Sequence, residues 1–176
     1  MGDSAAGGAV AVRRILVIAL LLASATTPLV AHALGTRCWI YLPAHVPVLL
    51  AGLTFERRIG SLAGVVAAAT ELAWGGRGVM AALPTALELA CYGAVSGACS
   101  ERARTWRGLV IVIVIAMIVG RLAHLVAGVA TRGWSGHELT GLFVDPWPGI
   151  AFQLLVLPLA AAGMRRALRI TSRALA

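Results

Sequence analysis

The chain has 176 residues, 60% of them hydrophobic and 12% charged, with a mean hydropathy of +0.89. An ordinary soluble domain carries about 25% charged residues, so too few charges are present here to cover a soluble surface, and an integral membrane protein is expected. All 15 basic residues are arginine. Without lysine there is no P-loop of the G-x-x-x-x-G-K-[ST] type and no Schiff-base chemistry. The net charge of +8 points to no nucleic-acid partner, because arginines between apolar spans act as topology signals.

A membrane-crossing helix takes about 20 apolar residues, so six would use roughly 120 and leave only short connections. In chain order, residues 1–14 form a short N-terminal tail, with 1–12 expected to be disordered. Span 1 runs from Ile15 to Val30. Arg13 and Arg14, the apolar run and Ala31-His32-Ala33 resemble a cleaved secretory signal. Because everything downstream is also apolar, span 1 is expected to stay as the first helix. Span 2 covers 39–55 and span 3, mostly glycine and alanine, 59–74. Span 4 covers 79–99, span 5 covers 109–130 and span 6 covers 147–163. Gly75-Gly76 and Pro146-Trp147-Pro148-Gly149 mark loops or helix starts. Residues 165–176 form a basic tail. The expected fold is all-α, a compact bundle of six transmembrane helices in a membrane domain spanning 15–164.

Orientation follows from arginine placement. With the N-terminus in the cytoplasm, eleven arginines lie inside: Arg13, Arg14, Arg57, Arg58, Arg102, Arg104, Arg107, Arg165, Arg166, Arg169 and Arg173. Three lie outside, namely Arg37, Arg77 and Arg132, while Arg121 falls within span 5. This bias puts both termini in the cytoplasm of a multi-pass cell-membrane protein. Trp39, Tyr41, Trp74, Trp134 and Trp147 gather at the outer ends as an aromatic belt.

Polar groups inside spans are costly and mark candidate sites. His45, Glu71, Glu88, Arg121, His124 and Gln153 come from five spans. At 1.5 Å per residue they all fall roughly 5–15 Å below the outer surface. The inner halves hold almost none. This pattern describes a pocket open to the outside and sealed below, and it argues against a continuous proton or ion lane. Glu88 and Arg121 also suit a structural ion pair. His124 sits high enough to reach the interface. Tyr92 is one turn from Glu88 on the same helix face, either as pocket wall or as packing. Arg121 suits a ligand carboxylate, whereas Glu71 and Glu88 suit a cationic or neutral ring.

Small residues recur at four-residue spacing in Ala19/Ala23, Gly60/Gly64 and Gly93/Gly97, where helices can approach closely. Spacing alone favours packing within the chain. Gly133-Trp134-Ser135-Gly136 has the look of an intramembrane serine protease motif. It lies in an outer loop beside His137 and Glu138 rather than at a helix start, which removes its context. No catalytic residue is assigned. Cys38, Cys91 and Cys99 are scattered and imply neither a disulfide framework nor a zinc site. No metal or cofactor is expected.

Four strings, Ala44-His45-Val46-Pro47 with the following VLLAGL, ALELACYGAVSG (86–97), IAMIVGR (115–121) and PGIAFQLLVLPL (148–159), together resemble the small membrane S components of energy-coupling factor (ECF) transporters. The resemblance covers about residues 44–160. It implies a six-helix subunit that captures a vitamin or related micronutrient outside the cell. Such subunits dock on a transmembrane coupling protein and two ATPases. In that family an Ala-x-x-x-Ala face on helix 1 touches the coupling protein, and Ala19 and Ala23 match it. The chain departs from the family between 70 and 84, where Glu71-Leu72-Ala73-Trp74-Gly75-Gly76-Arg77 replaces a proline-rich turn bordering the pocket. The substrate-binding set expected on all these grounds is His45, Glu71, Glu88, Tyr92, Arg121 and Gln153. A self-contained secondary transporter or channel is the alternative, with an intramembrane protease third.

Overall fold

The computed structural model describes residues 2–34, 44–74, 78–133, 144 and 146–174. Among them lie six α-helices and no strand: α1 Gly2–Ala33, α2 His45–Thr54, α3 Arg57–Trp74, α4 Val79–Ala98, α5 Trp106–Arg132 and α6 Trp147–Ala174. A short 3₁₀ turn, Arg102–Arg104, joins α4 to α5. The helix order and spacing follow the six apolar segments of the sequence. Four of the helices, α1, α4, α5 and α6, are long and apolar enough to cross a membrane.

The ends differ from the sequence-based expectation. Residues 2–12, expected to be disordered, continue α1 from Gly2. They contain no proline, and alanine is the best helix former. At the other end α6 does not stop near 163 but runs to Ala174, through an Arg-, Ala- and Leu-rich stretch of high helix propensity. α2 is shorter than the span drawn over 39–55; its ten residues rise about 15 Å. Residues 35–43, with Arg37, Cys38, Trp39 and Tyr41, lie outside the described residues, as do 75–77 and 134–143 with the serine motif.

The α3–α4 pair is the tightest contact, and glycine is the reason. A Cβ on Gly93 would stand 2.1 Å from the Gly60 carbonyl oxygen, one on Gly60 2.6 Å from the Gly93 oxygen, and one on Gly64 2.7 Å from the Leu89 oxygen. Gly52 of α2 closes on Gly97 and Ser96 in the same way. The Gly60/Gly64 and Gly93/Gly97 faces are thus spent on packing within the chain. α1 is the least embedded helix, touching the bundle through Leu20, which clusters with Ala51, Phe55 and Ala63. Ile15, Ile18, Leu22 and Val30 face outward.

Each of three helices changes character along one buried stripe. On α5 the stripe reads Leu109, Val112, Ile113, Ala116 and Met117, then Gly120 and Arg121. On α6, positions four apart read Gln153, Leu157, Ala161 and Arg165. On α2, His45 is followed by Val48, Leu49 and Leu53. Polar groups therefore sit at one end, and the middle is filled by Val48, Leu49, Leu53, Val112, Ile113, Leu157 and Ala161, all 1% exposed or less.

At the opposite end, Arg165 bolts the bundle. Its Nη1 donates to the Ala103 carbonyl and its Nη2 to the carbonyls of Leu53 and Ser100. Leu53 belongs to the last turn of α2, whose carbonyls have no partner within the helix, and a guanidinium there also meets the negative end of the helix dipole. Counted from the sequence only as a tail arginine that sets topology, Arg165 is also a half-buried structural cation. Thr105 caps α5 by accepting from the Gly108 amide at 3.0 Å, and Gly133, with φ +80°, ends it.

Two outcomes test this packing. Gly93→Val should lower stability by at least about 2 kcal/mol, because the new methyl groups meet backbone that cannot yield. Thermal unfolding of the detergent-solubilised chain reads this, and an unshifted Tm would contradict the close approach of α3 and α4. Arg165→Ala should cost about 2–3 kcal/mol by stranding three carbonyls. Arg165→Lys should recover only part, since an ammonium lacks the planar fork; full recovery by lysine would show that charge alone matters.

Candidate functional site

The polar end of the bundle is organised around Glu88, the tenth residue of α4 and 2% exposed. Its Oε1 accepts from the Tyr92 hydroxyl at 2.7 Å. The same oxygen lies 3.2 Å from Arg121 Nε and 3.8 Å from His45 Nε2. Its Oε2 is 2.7 Å from His124 Nδ1. One carboxylate thus ties α2, α4 and α5 together.

Local sequence explains how each partner arrives. Tyr92 is four residues after Glu88, one turn along the same helix face. Arg121 and His124 are three apart on α5 and likewise share a face. His45 opens α2, and Pro47 falls in that helix's first turn, where the missing N–H removes no helical bond. The His45 and Tyr92 rings meet edge to face, with centroids 4.7 Å apart and planes at 84°. Gly120 makes room for this arrangement. A Cβ there would stand 2.4 Å from the Tyr92 ring, so the glycine preceding Arg121 lets the ring lie against α5 with its hydroxyl aimed at Glu88.

Of the six residues expected to bind substrate, His45, Glu88, Tyr92 and Arg121 form this single cluster. Gln153 and Glu71 are also buried, at 1% and 4% exposure. They sit on α6 and α3, outside the set of groups that touch Glu88. His124 turns inward to the carboxylate rather than out to the interface. Gly120 escaped sequence reasoning. The signal available was its place in the IAMIVGR string, but only the fold reveals which ring it accommodates.

The hydrogen-bond inventory of the cluster is uneven. Each oxygen of Glu88 has a hydrogen-bond partner. Arg121 is not so matched. Its Nε is near enough to Glu88 for ion pairing but makes no aligned hydrogen bond, and its Nη2 has no hydrogen-bond partner among the described residues. His45 Nδ1 is in the same position. Both residues are at least 95% buried. A buried unpartnered polar group costs about 1–3 kcal/mol, more when charged, so the site holds unused hydrogen-bonding capacity away from water. Among the described residues no three His, Cys, Asp or Glu side chains are grouped to hold a metal ion. The guanidinium beside Glu88 would itself repel a cation.

No family model, curated protein or solved structure matches this chain.

The hub has a measurable consequence. Arg121→Gln should destabilise the chain by about 3–5 kcal/mol, since it leaves Glu88 buried without its cation. Adding Glu88→Gln to that variant should restore much of the loss. The coupling energy of this double-mutant cycle, from denaturation in detergent, should exceed about 1 kcal/mol; additive effects would show that the two groups do not compensate each other.

Proposed function

We propose that this chain is a multi-pass membrane protein of six transmembrane helices with both termini in the cytoplasm, and that it serves as the substrate-binding subunit of an ECF-type uptake transporter for a vitamin or related micronutrient. The reading rests on one observation: buried polar groups from α2, α4 and α5 converge at one end of the bundle with unused hydrogen-bonding capacity, above a packed apolar middle and the Arg165 bolt. With eleven arginines at the other end, the positive-inside rule turns the polar cluster outward. A site closed toward the cytoplasm captures solute but has no path to release it. The lysine-free chain also lacks the P-loop that would power release. Both needs are met by a transmembrane coupling protein with two ATPase subunits.

The docking face is on α1. Ala19 is exposed and Ala23 is half-buried, lining an apolar groove between α1, α2 and α6 with Leu20, Thr27, Val46, Pro47, Leu50 and Phe152. Small side chains there let a partner helix come close.

In proteoliposomes the chain alone should retain solute and never concentrate it. Native mass spectrometry of the purified chain should show a small molecule bound one to one. Accumulation by the isolated chain under a proton or sodium gradient would replace this reading with a secondary transporter. Ala19→Leu and Ala23→Leu should leave that bound molecule in place and sharply reduce co-purification with the coupling protein and ATPases. Recovery of the whole assembly at wild-type yield would remove α1 as the docking face.

A further inference from the structure

The unused atoms of the cluster define the edge of the molecule it binds. Arg121 Nη2 is a donor and can be nothing else. His45 presents Nε2 toward Glu88 Oε1. A carboxylate oxygen favours an N–H facing it, which places the ring proton on Nε2. In neutral imidazole the other nitrogen then carries a lone pair, so the buried, unpartnered Nδ1 is an acceptor. Arg121 Nε and His45 Nε2 both stand within 3.8 Å of the same Glu88 oxygen, so the two side chains that carry the unpartnered atoms flank one carboxylate.

Charge selects among ligands with such an edge. Glu88 and Arg121 cancel, and the two imidazoles need no charge to make their contacts. A cationic ligand would meet the Arg121 guanidinium, and the carboxylate of the cluster already has a hydrogen-bond partner on each oxygen, Tyr92 and His124, with Arg121 beside it. A carboxylate ligand would leave the dehydrated cluster with a net negative charge and would offer His45 Nδ1 no donor. Burying an uncompensated charge is expensive. A neutral group with a carbonyl oxygen beside an N–H avoids both penalties.

Resting on the uptake reading above, we propose that the ligand is an uncharged molecule with an amide-type edge, either a carboxamide or a lactam-like heterocycle. Its carbonyl accepts from Arg121 Nη2, and its N–H donates to His45 Nδ1. Glu88 is a positioning residue that holds the arginine and the imidazole in their roles and does not itself touch the ligand. Tyr92, packed against the His45 ring, fixes the plane of that imidazole.

The test is the chemical identity of the molecule carried by the full chain. The chain is purified from cells in detergent, with metabolite extract of the same cells present. The bound species is then released and identified by high-resolution tandem mass spectrometry. A molecule neutral at pH 7 with adjacent carbonyl and N–H groups is expected. A carboxylate or a cation as the one-to-one occupant would overturn the proposal and leave the uptake reading standing. Absence of any bound molecule would overturn both. Two variants probe the same edge. His45→Leu should cut ligand occupancy at least tenfold per folded protein, because the N–H of the ligand loses its acceptor. His45→Asn, whose side-chain oxygen falls near the place of Nδ1, should recover most of it. Equal occupancy in both variants and the wild type, at equal Tm, would show that Nδ1 takes no part.

Discussion

A carboxylate taken out of water has to be compensated where it stands, and Glu88 sets that requirement for the whole upper bundle. Its two oxygens recruit a phenol from its own helix, a guanidinium and an imidazole from α5, and a second imidazole from the start of α2. Apart from the Tyr92 contact within α4, none of these forms unless the three helices stand at one distance and one register. The apolar packing below can be satisfied by many arrangements of leucine, valine and isoleucine; the polar cluster can be satisfied by very few. Specificity of register is the best-attested use of such buried polar groups.

The glycine contacts make this possible. α4 could not carry Glu88 so near α2 and α5 if side chains held it off α3 and α2. Gly60, Gly64, Gly93 and Gly97 let those backbones touch, and Gly120 admits the Tyr92 ring. Close backbone packing of this kind suits a lipid environment, where no hydrophobic drive brings helices together and van der Waals contact must do so. The site is thus held by rigid helix pairs rather than by loops, which favours a fixed array of donors and acceptors.

The two ends of the bundle use arginine in opposite ways. Arg165 satisfies backbone carbonyls at the basic end and has three acceptors for its fork. Arg121 is held by one carboxylate and keeps an unpartnered donor. The first is a closed structural contact and the second an open one. That asymmetry distinguishes the two ends of the bundle by their hydrogen bonding alone.

Much of this was legible in the sequence. The apolar segments and arginine distribution determine the number and order of helices, because hydropathy and helical length are local properties. That His45, Glu88 and Arg121 fall at one level of the bundle was legible for the same reason, since rise per residue converts position along a helix into height, and all three meet at one carboxylate. Pairings were not. That His124 turns to Glu88 rather than to the interface, that Arg165 reaches back to Leu53, Ser100 and Ala103, and that Gly120 faces Tyr92 all depend on how helices rotate about their axes. The ends of α1 and α6 were not legible, because a small-residue stretch without periodicity and a basic tail both read as helix ends, whereas alanine, leucine and arginine continue a helix. Sequence by itself determined an all-helical, membrane-compatible chain with its polar groups in one layer. Only the tertiary structure decided which of those groups meet and which atoms stay unpaired, because hydrogen-bond geometry is set between helices and not along them.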